Sequence, residues 1–158
     1  MSEVTSIVIA GLGGQGVIKC SDILADTVFR AGYDVKKAEI HGMSQRGGSV
    51  TSDIRFGAKV WSPMVSSGGA DFLVLVSDDQ LANNKHYLKP GGLLLAADEA
   101  LLEKLPSSRS LNIALLGKLS AHLQIAVEYW RTSIEEAFSL AFKEGNLEAF
   151  SIGRGFAV

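Results

Sequence analysis

Residues 6–16, SIVIAGLGGQG, carry an apolar, β-branched run directly into a cluster of glycines, the junction that opens a Rossmann unit and many other α/β domains. Ser6 to Ala10 reads as a strand covered on both faces, because it offers no polar alternation. After the glycines, Val17, Ser21, Leu24, Ala25 and Val28 recur at helical spacing, and Gly32 stands where a left-handed cap would end the helix. Gly11, Gly13 and Gly16 fit the G-x-G-x-x-G spacing of a dinucleotide turn, and Glu39 follows near the end of a second strand, where such folds hold a ribose hydroxyl. The same spacing also serves a plain tight turn with close helix packing. Either way, the first N–H groups of the helix converge on one spot and favour an anion. Gly14 and Gln15 add a second small residue and an amide with both a donor and an acceptor.

Further elements follow in order. Asp34 to Ile40 reads as a strand parallel to the first, reached by a right-handed crossover. From Ser49, Val50, Ile54 and Phe56 alternate with polar residues, and Gly57-Ala58 followed by Lys59-Val60-Trp61 predicts an antiparallel hairpin. Asp71 to Ser77 is another buried strand, with Asp78-Asp79 suited to a helix start. Leu93 to Ala96 is a further strand candidate. The remainder reads as helix: Ala114 to Leu123, then a segment opened by the capping-box pattern Ser133 to Glu136 and closed by Gly145. Together these predict an α/β fold: one three-layer Rossmann-like domain over residues 1–158, with a mostly parallel sheet, an antiparallel hairpin and a helical C-terminal part.

A second glycine-rich stretch, His41 to Val50, follows the second strand on the same carboxyl edge as the first turn. Ligands of open α/β sheets gather at that edge. Ser44, Gln45, Arg46, Gly47 and Gly48 form a segment of small, amide and guanidinium groups shaped for close contact. With 15 basic against 17 acidic residues and a net charge of −2, the chain has no electrostatic footprint for nucleic acid or an anionic membrane. The start lacks a basic leader and the apolar run is too short to span a bilayer, so a cytoplasmic location is expected. Cys20 is the single cysteine, which excludes an intrachain disulfide and an iron–sulfur or thiolate–zinc cluster held by this chain alone.

The stretches IVIAGLGGQGV, AGYDVKKAEIHGMSQRGGSVTSDIRFG and VWSPMVSSGGADFLV together resemble the small gamma-type subunits of the 2-oxoacid:ferredoxin oxidoreductases. The HGMSQRGG form is most similar to the branch that acts on indolepyruvate. The resemblance runs from about Ile7 to Val76 and resumes at Asn112 to Gly117. It implies an oxidative decarboxylation in which thiamine diphosphate attacks the keto carbon, coenzyme A takes the acyl group and ferredoxin takes the electrons. It also implies that thiamine diphosphate, magnesium and the iron–sulfur clusters sit on a larger partner subunit. This chain would then be an accessory subunit with no catalytic residue of its own. Gly11, Gly13, Gly14, Gln15 and Gly16 would form the anion-binding turn, with Ser44, Gln45, Arg46, Gly47 and Gly48 as a second wall facing the partner and the coenzyme A channel. Between Asp98 and Asn112 the chain departs from the family, offering a short segment where relatives carry a further strand and helix; Ser107 to Ser110 reads as a turn.

Two other readings stay open at the level of sequence: an independent NAD(P)- or FAD-binding module with Glu39 on the ribose, and a non-catalytic adaptor that reuses the fold for assembly. Cys20 lies on the apolar helix face and reads as an inert buried thiol. Trp61, Pro63, Tyr129 and Trp130 read as core or interface, and His86 and His122 as structural.

Overall fold

The computed structural model describes residues 3–41 and 48–156. Strand β1 (Thr5–Leu12) is the hinge of the sheet. Its centre, Ile7 to Ala10, is fully buried, with Ile7 and Ile9 facing one hydrophobic cluster and Val8 and Ala10 the other, as the two-residue period of a strand requires. Helix α1 (Val17–Arg30) follows and ends, as its sequence predicts, at Gly32 with φ 97°.

Strands β2 (Asp34–His41), β3 (Ser49–Gly57), β4 (Ala70–Leu75) and β5 (Leu88–Leu95) complete a five-stranded sheet in the order β2-β3-β1-β4-β5. The pairs β1–β4 and β4–β5 are parallel, and β3 runs antiparallel to both β1 and β2. The α/β class therefore holds, with two corrections to the expected pairing. Strand β2 has the direction of β1 but is not its neighbour, since β3 is inserted between them. The antiparallel hairpin is β2–β3, not residues 50–56 with 59–61. Residues 59–61 form no strand; the Val60 N–H goes to the Asp34 carboxylate at 2.8 Å, and just beyond them the Ser62 carbonyl accepts from Arg55 at 2.9 Å.

The helices crowd onto one face. After β4 come a 3-10 turn begun by Asp78 and Asp79 and the short α2 (Leu81–Asn84); after β5 come α3 (Glu99–Lys104), α4 (Leu111–Ser120), α5 (Val127–Ala137) and α6 (Leu140–Gly155). Helices α1, α4, α5 and α6 bury Leu24, Leu115, Trp130 and Phe150 against Ile7, Ile9 and Ile54. The opposite layer is thin, with Val65, Tyr87 and Ala96 lying over Val8, Ala10 and Leu73. Strand β5 starts earlier than expected, at Leu88, and carries Gly91 at φ 82° beside a register shift. Residues 98–111 add α3 and a 3-10 turn at Ser108–Ser110 but no strand, which leaves β5 as the sheet edge.

The C-terminal helices also differ from expectation. Ser133 does not cap a helix; it lies inside α5, where its hydroxyl donates to the Asp26 carboxylate at 2.7 Å and ties α5 to α1. The break falls instead at Phe138, whose backbone is extended, with Ser139 preceding α6, and Gly145 sits inside α6 and does not close it.

Candidate anion-binding site at the glycine turn

The turn between β1 and α1 is closed from within. Gln15 folds back so that its Oε1 accepts the Leu12 N–H at 2.7 Å, while the Gln15 N–H donates to the Leu12 carbonyl at 3.1 Å. Gly16 precedes the helix at φ 78°, a conformation that L side chains rarely adopt, and a Cβ there would lie 2.4 Å from Asn112 Nδ2. Asn112, at the start of α4, donates to the Gly16 carbonyl at 3.1 Å, and its own carbonyl accepts the Cys20 thiol at 3.5 Å. The turn is thus fixed by a residue almost a hundred positions away in sequence.

Helix α1 has no side-chain cap and no acid in its first turn. Its first helical bond runs from Cys20 N–H to the Gly16 carbonyl, so the N–H groups of Val17, Ile18 and Lys19 have no acceptor within the helix. Beside this helix start lies a cleft of about 1070 Å³ lined by Gly14, Gln15, Gly16, Lys19, Ser107 to Asn112, Phe138, Phe142 and Asn146, among others. Lys19 and Arg109 are the charged residues of that lining among the described residues, and both are basic. Lys19 Nζ is held by the Ala137 carbonyl at 3.0 Å and lies 5.2 Å from the centre of the Phe138 ring. A positive, donor-rich end therefore meets an aromatic wall. That combination suits an anionic group attached to an apolar or planar body.

Both glycine-rich segments leave from the same rim. His41 pairs with Val50 and Leu12 pairs with Ser49, so the β2–β3 connection begins and ends beside the glycine turn. The Gly13 N–H donates to the Gly48 carbonyl at 2.9 Å, which joins the two segments directly. Of the second wall, Gly48 falls among the described residues, and Ser44, Gln45, Arg46 and Gly47 lie outside them.

The topology decides against the dinucleotide reading. A Rossmann acid reaches the ribose because its strand is the neighbour of the first. Here β3 places β2 two strand spacings from β1, roughly 10 Å away. Glu39 is moreover occupied by Lys37, whose Nζ lies 3.0 Å from its carboxylate. Cys20 is fully buried, and that burial pushes its thiol far above the ordinary range, out of reach of nucleophilic or ligand chemistry near neutrality. Among the described residues no His, Cys, Asp and Glu group could hold a metal ion, and no helix is long and apolar enough to cross a membrane.

Sequence reasoning missed Lys19, Arg109 and Asn112 as site residues. Lys19 stands three positions after Gly16, on the turn of helix that faces the cleft, a signal that was available. Asn112 and Arg109 depend on how α4 packs against α1, which local pattern does not reveal.

Residues 6–106 match the profile of the family described as pyruvate ferredoxin/flavodoxin oxidoreductase. The indolepyruvate oxidoreductase subunit IorB of Thermococcus kodakarensis is 44% identical over 89 residues, covering 56% of this chain and 44% of that protein; the match thus spans under half of that relative's length. The gamma subunit of a keto/oxoacid ferredoxin oxidoreductase from Geobacter sulfurreducens superposes with a TM-score of 0.75 at 24% identity, over 96% of this chain and 94% of that one. The 2-oxoglutarate:ferredoxin oxidoreductase of Magnetococcus marinus, solved with 2-oxoglutarate, coenzyme A and succinyl-CoA, gives a TM-score of 0.83 at 23% identity over 98% of this chain and 31% of that one. These two likenesses establish the fold.

Proposed function

Because the chain belongs to the pyruvate ferredoxin/flavodoxin oxidoreductase family, we propose that it is the accessory, gamma-type subunit of a thiamine diphosphate-dependent 2-oxoacid:ferredoxin oxidoreductase acting on an aryl pyruvate such as indolepyruvate. In this reading residues 1–158 form one gamma-type domain, the enzyme works in the cytoplasm, and this chain contributes position and charge, not catalysis. The observation that carries the reading is that the family match spans both segments of one rim, joined by the Gly13–Gly48 bond. The proposed substrate class is supported by the 44% identity, over 89 residues, to an indolepyruvate oxidoreductase subunit.

A single, buried thiol fits a chain whose iron–sulfur clusters, thiamine diphosphate and magnesium reside on a larger partner subunit, through which ferredoxin is reduced. The rim itself suits coenzyme A, which when bound supplies the thiol that takes the acyl group. The free N–H groups at the start of α1, with Lys19 and Arg109, would hold its phosphates, and Phe142 offers an aromatic wall beside them. Gly11, Gly13, Gly14, Gln15 and Gly16 shape that seat, and Ser44, Gln45, Arg46, Gly47 and Gly48 form its second wall towards the partner.

Affinity purification of the tagged chain from its own host tests the assignment. A larger brown iron–sulfur subunit should accompany it, and the complex should reduce a viologen dye only when both indolepyruvate and coenzyme A are present. Recovery of the chain alone, with micromolar affinity for NAD(P) or FAD, would return the dinucleotide module. If Arg46→Ala leaves both subunit pairing and activity unchanged, the second wall is misassigned. Lys19→Ala and Arg109→Ala should each weaken coenzyme A binding several-fold, and less so at high salt, where screening already weakens the charge.

A further inference from the structure

The opposite pole of the molecule carries a feature that the rim does not account for. Because β3 runs antiparallel, its end at Gly57 lies beside Asp34 and Phe56 lies beside Thr5, so residues 58–69 leave the sheet at the amino ends of β1 and β2. Strand β1 is eight residues long, which puts this pole roughly 25 Å from the glycine turn. There Trp61 is 83% exposed and Met64 56% exposed.

Such exposure is not slack in the loop. Val60 and Val65 are buried on either side of the two residues, and side chains hold the backbone from Val60 to Val65. Asp34 accepts the Val60 N–H at 2.8 Å, Arg55 donates to the Ser62 carbonyl at 2.9 Å, Ser62 Oγ accepts the Met64 N–H at 3.2 Å, and Asp53 accepts the Val65 N–H at 2.9 Å. The loop had buried anchors available at both ends, yet its largest apolar side chain remains in water. A rigidly presented tryptophan gives up little conformational freedom on association, which is the property of an interface anchor. Its surroundings are basic: Lys59 Nζ lies 4.8 Å from the centre of the indole, and Lys36, also exposed, stands nearby on β2. The Val60 N–H, with Lys36 and Lys59 behind it, holds the Asp34 carboxyl below its ordinary range, so one carboxylate stands among the two lysines.

We propose that residues 59–64 form a preorganised docking knob for the larger subunit of the complex, with Trp61 and Met64 entering an apolar slot on that subunit whose rim carries carboxylates facing Lys59. The inference rests on the subunit assignment above and deepens it, since it assigns a docking surface at the pole away from the rim. Docking here would leave the opposite rim unobstructed by this contact.

The two tryptophans make the test direct, because Trp130 is fully buried and Trp61 is not. The larger subunit purified from the same host is titrated into this chain, with size exclusion and acrylamide quenching of tryptophan emission as readouts. Expected is a complex in which the red-shifted, quenchable component due to Trp61 turns blue and becomes protected. Trp61→Ala should raise the dissociation constant at least tenfold with an unchanged thermal midpoint, Trp61→Phe should recover part of the loss, and Lys59→Glu should weaken binding several-fold. No complex at all would remove the subunit assignment and this surface with it. A complex in which Trp61 stays as quenchable as in the free chain would overturn the surface and leave the assignment standing. Protection that rises with the concentration of this chain alone would assign the knob to a second copy and overturn the proposal.

Discussion

Two substitutions on one helix, Gly153→Ala and Gly145→Ala, should move stability in opposite directions. Helices α4 and α6 cross at glycines: a Cβ on Gly153 would lie 1.8 Å from the Ala114 carbonyl oxygen, and one on Gly117 would lie 2.1 Å from the Phe150 carbonyl oxygen. Carbon–oxygen contacts settle at about 3.3–3.6 Å, so a methyl at 153 demands roughly 1.5 Å of helix separation. The obstacle is backbone, which no rotamer change can relieve. Overpacking of this kind costs up to about 3 kcal/mol, and the better helix propensity of alanine returns about 1 kcal/mol, leaving a net loss of about 2 kcal/mol. At 2–4 °C per kcal/mol for a chain of this size, the midpoint should fall by about 4–8 °C. Gly145 lies on the same helix with nothing within 4 Å of its would-be Cβ. Alanine there should collect the propensity term alone, up to about 1 kcal/mol, and raise the midpoint by about 2–4 °C. Urea and thermal unfolding followed by Trp130 emission reads the crossing itself, since that ring lies 5.7 Å from the ring of Phe150. If both variants shift the midpoint in the same direction, the close crossing of α4 and α6 is not what the glycines provide.

Three further substitutions probe the site and the sheet. Gln15→Glu keeps an acceptor for the Leu12 N–H but places a negative charge at the uncapped start of α1; stability should change by less than about 1 kcal/mol, while calorimetric affinity for coenzyme A falls about tenfold. Asn112→Ala removes the bond to the Gly16 carbonyl and should cost about 1 kcal/mol, read as faster hydrogen exchange in residues 11–20 while β4 is unchanged. Asp53, on the interior strand β3, is 1% exposed, and burial raises its carboxyl pKa against the lowering effect of the Val65 N–H. The folded chain then holds that proton to higher pH than the unfolded one, so stability falls as pH rises from the ordinary carboxylate range, about 4, through the folded value. Asp53→Asn retains an acceptor for Val65 and should flatten that slope in urea titrations between about pH 4 and neutrality; an unchanged slope would show that Asp53 is ionised in both states.

The parts of the fold that local chemistry dictates were legible in the residues. Helix α1 begins after a glycine that takes positive φ and ends at another, and its apolar stripe faces the core, because caps and periodicity act within a few residues. The insertion of β3 between β1 and β2 was not legible. Val50, Ile54 and Phe56 announce a strand, but which strand it joins is settled by packing across the sheet, and alternation carries no partner information. Ser133 shows the same limit from the other side. Its pattern matches a capping box, yet Asp26 on a distant helix takes the hydroxyl, and the true break comes at Phe138 and Ser139. The strand–glycine–helix order of the turn is legible in the residues, whereas Asn112 and Arg109 reach it only through the placement of α4.

That single inserted strand also explains why a G-x-G-x-x-G turn here need not mean a dinucleotide. In a Rossmann domain the turn supplies half of the site and the acid on the neighbouring strand supplies the other half. With β3 in the neighbouring place, the position beside Leu12 is taken by Ser49, and the Gly48 carbonyl accepts the N–H of Gly13. The helix-start half survives, since the start of α1 is uncapped and Lys19 and Arg109 line the adjoining cleft. The half that would recognise a ribose has moved outward with Glu39, into an ion pair with Lys37. What remains is an uncapped helix start beside two basic side chains, which does not by itself identify a ligand. Under the proposed subunit assignment, selectivity falls to whatever closes the cleft.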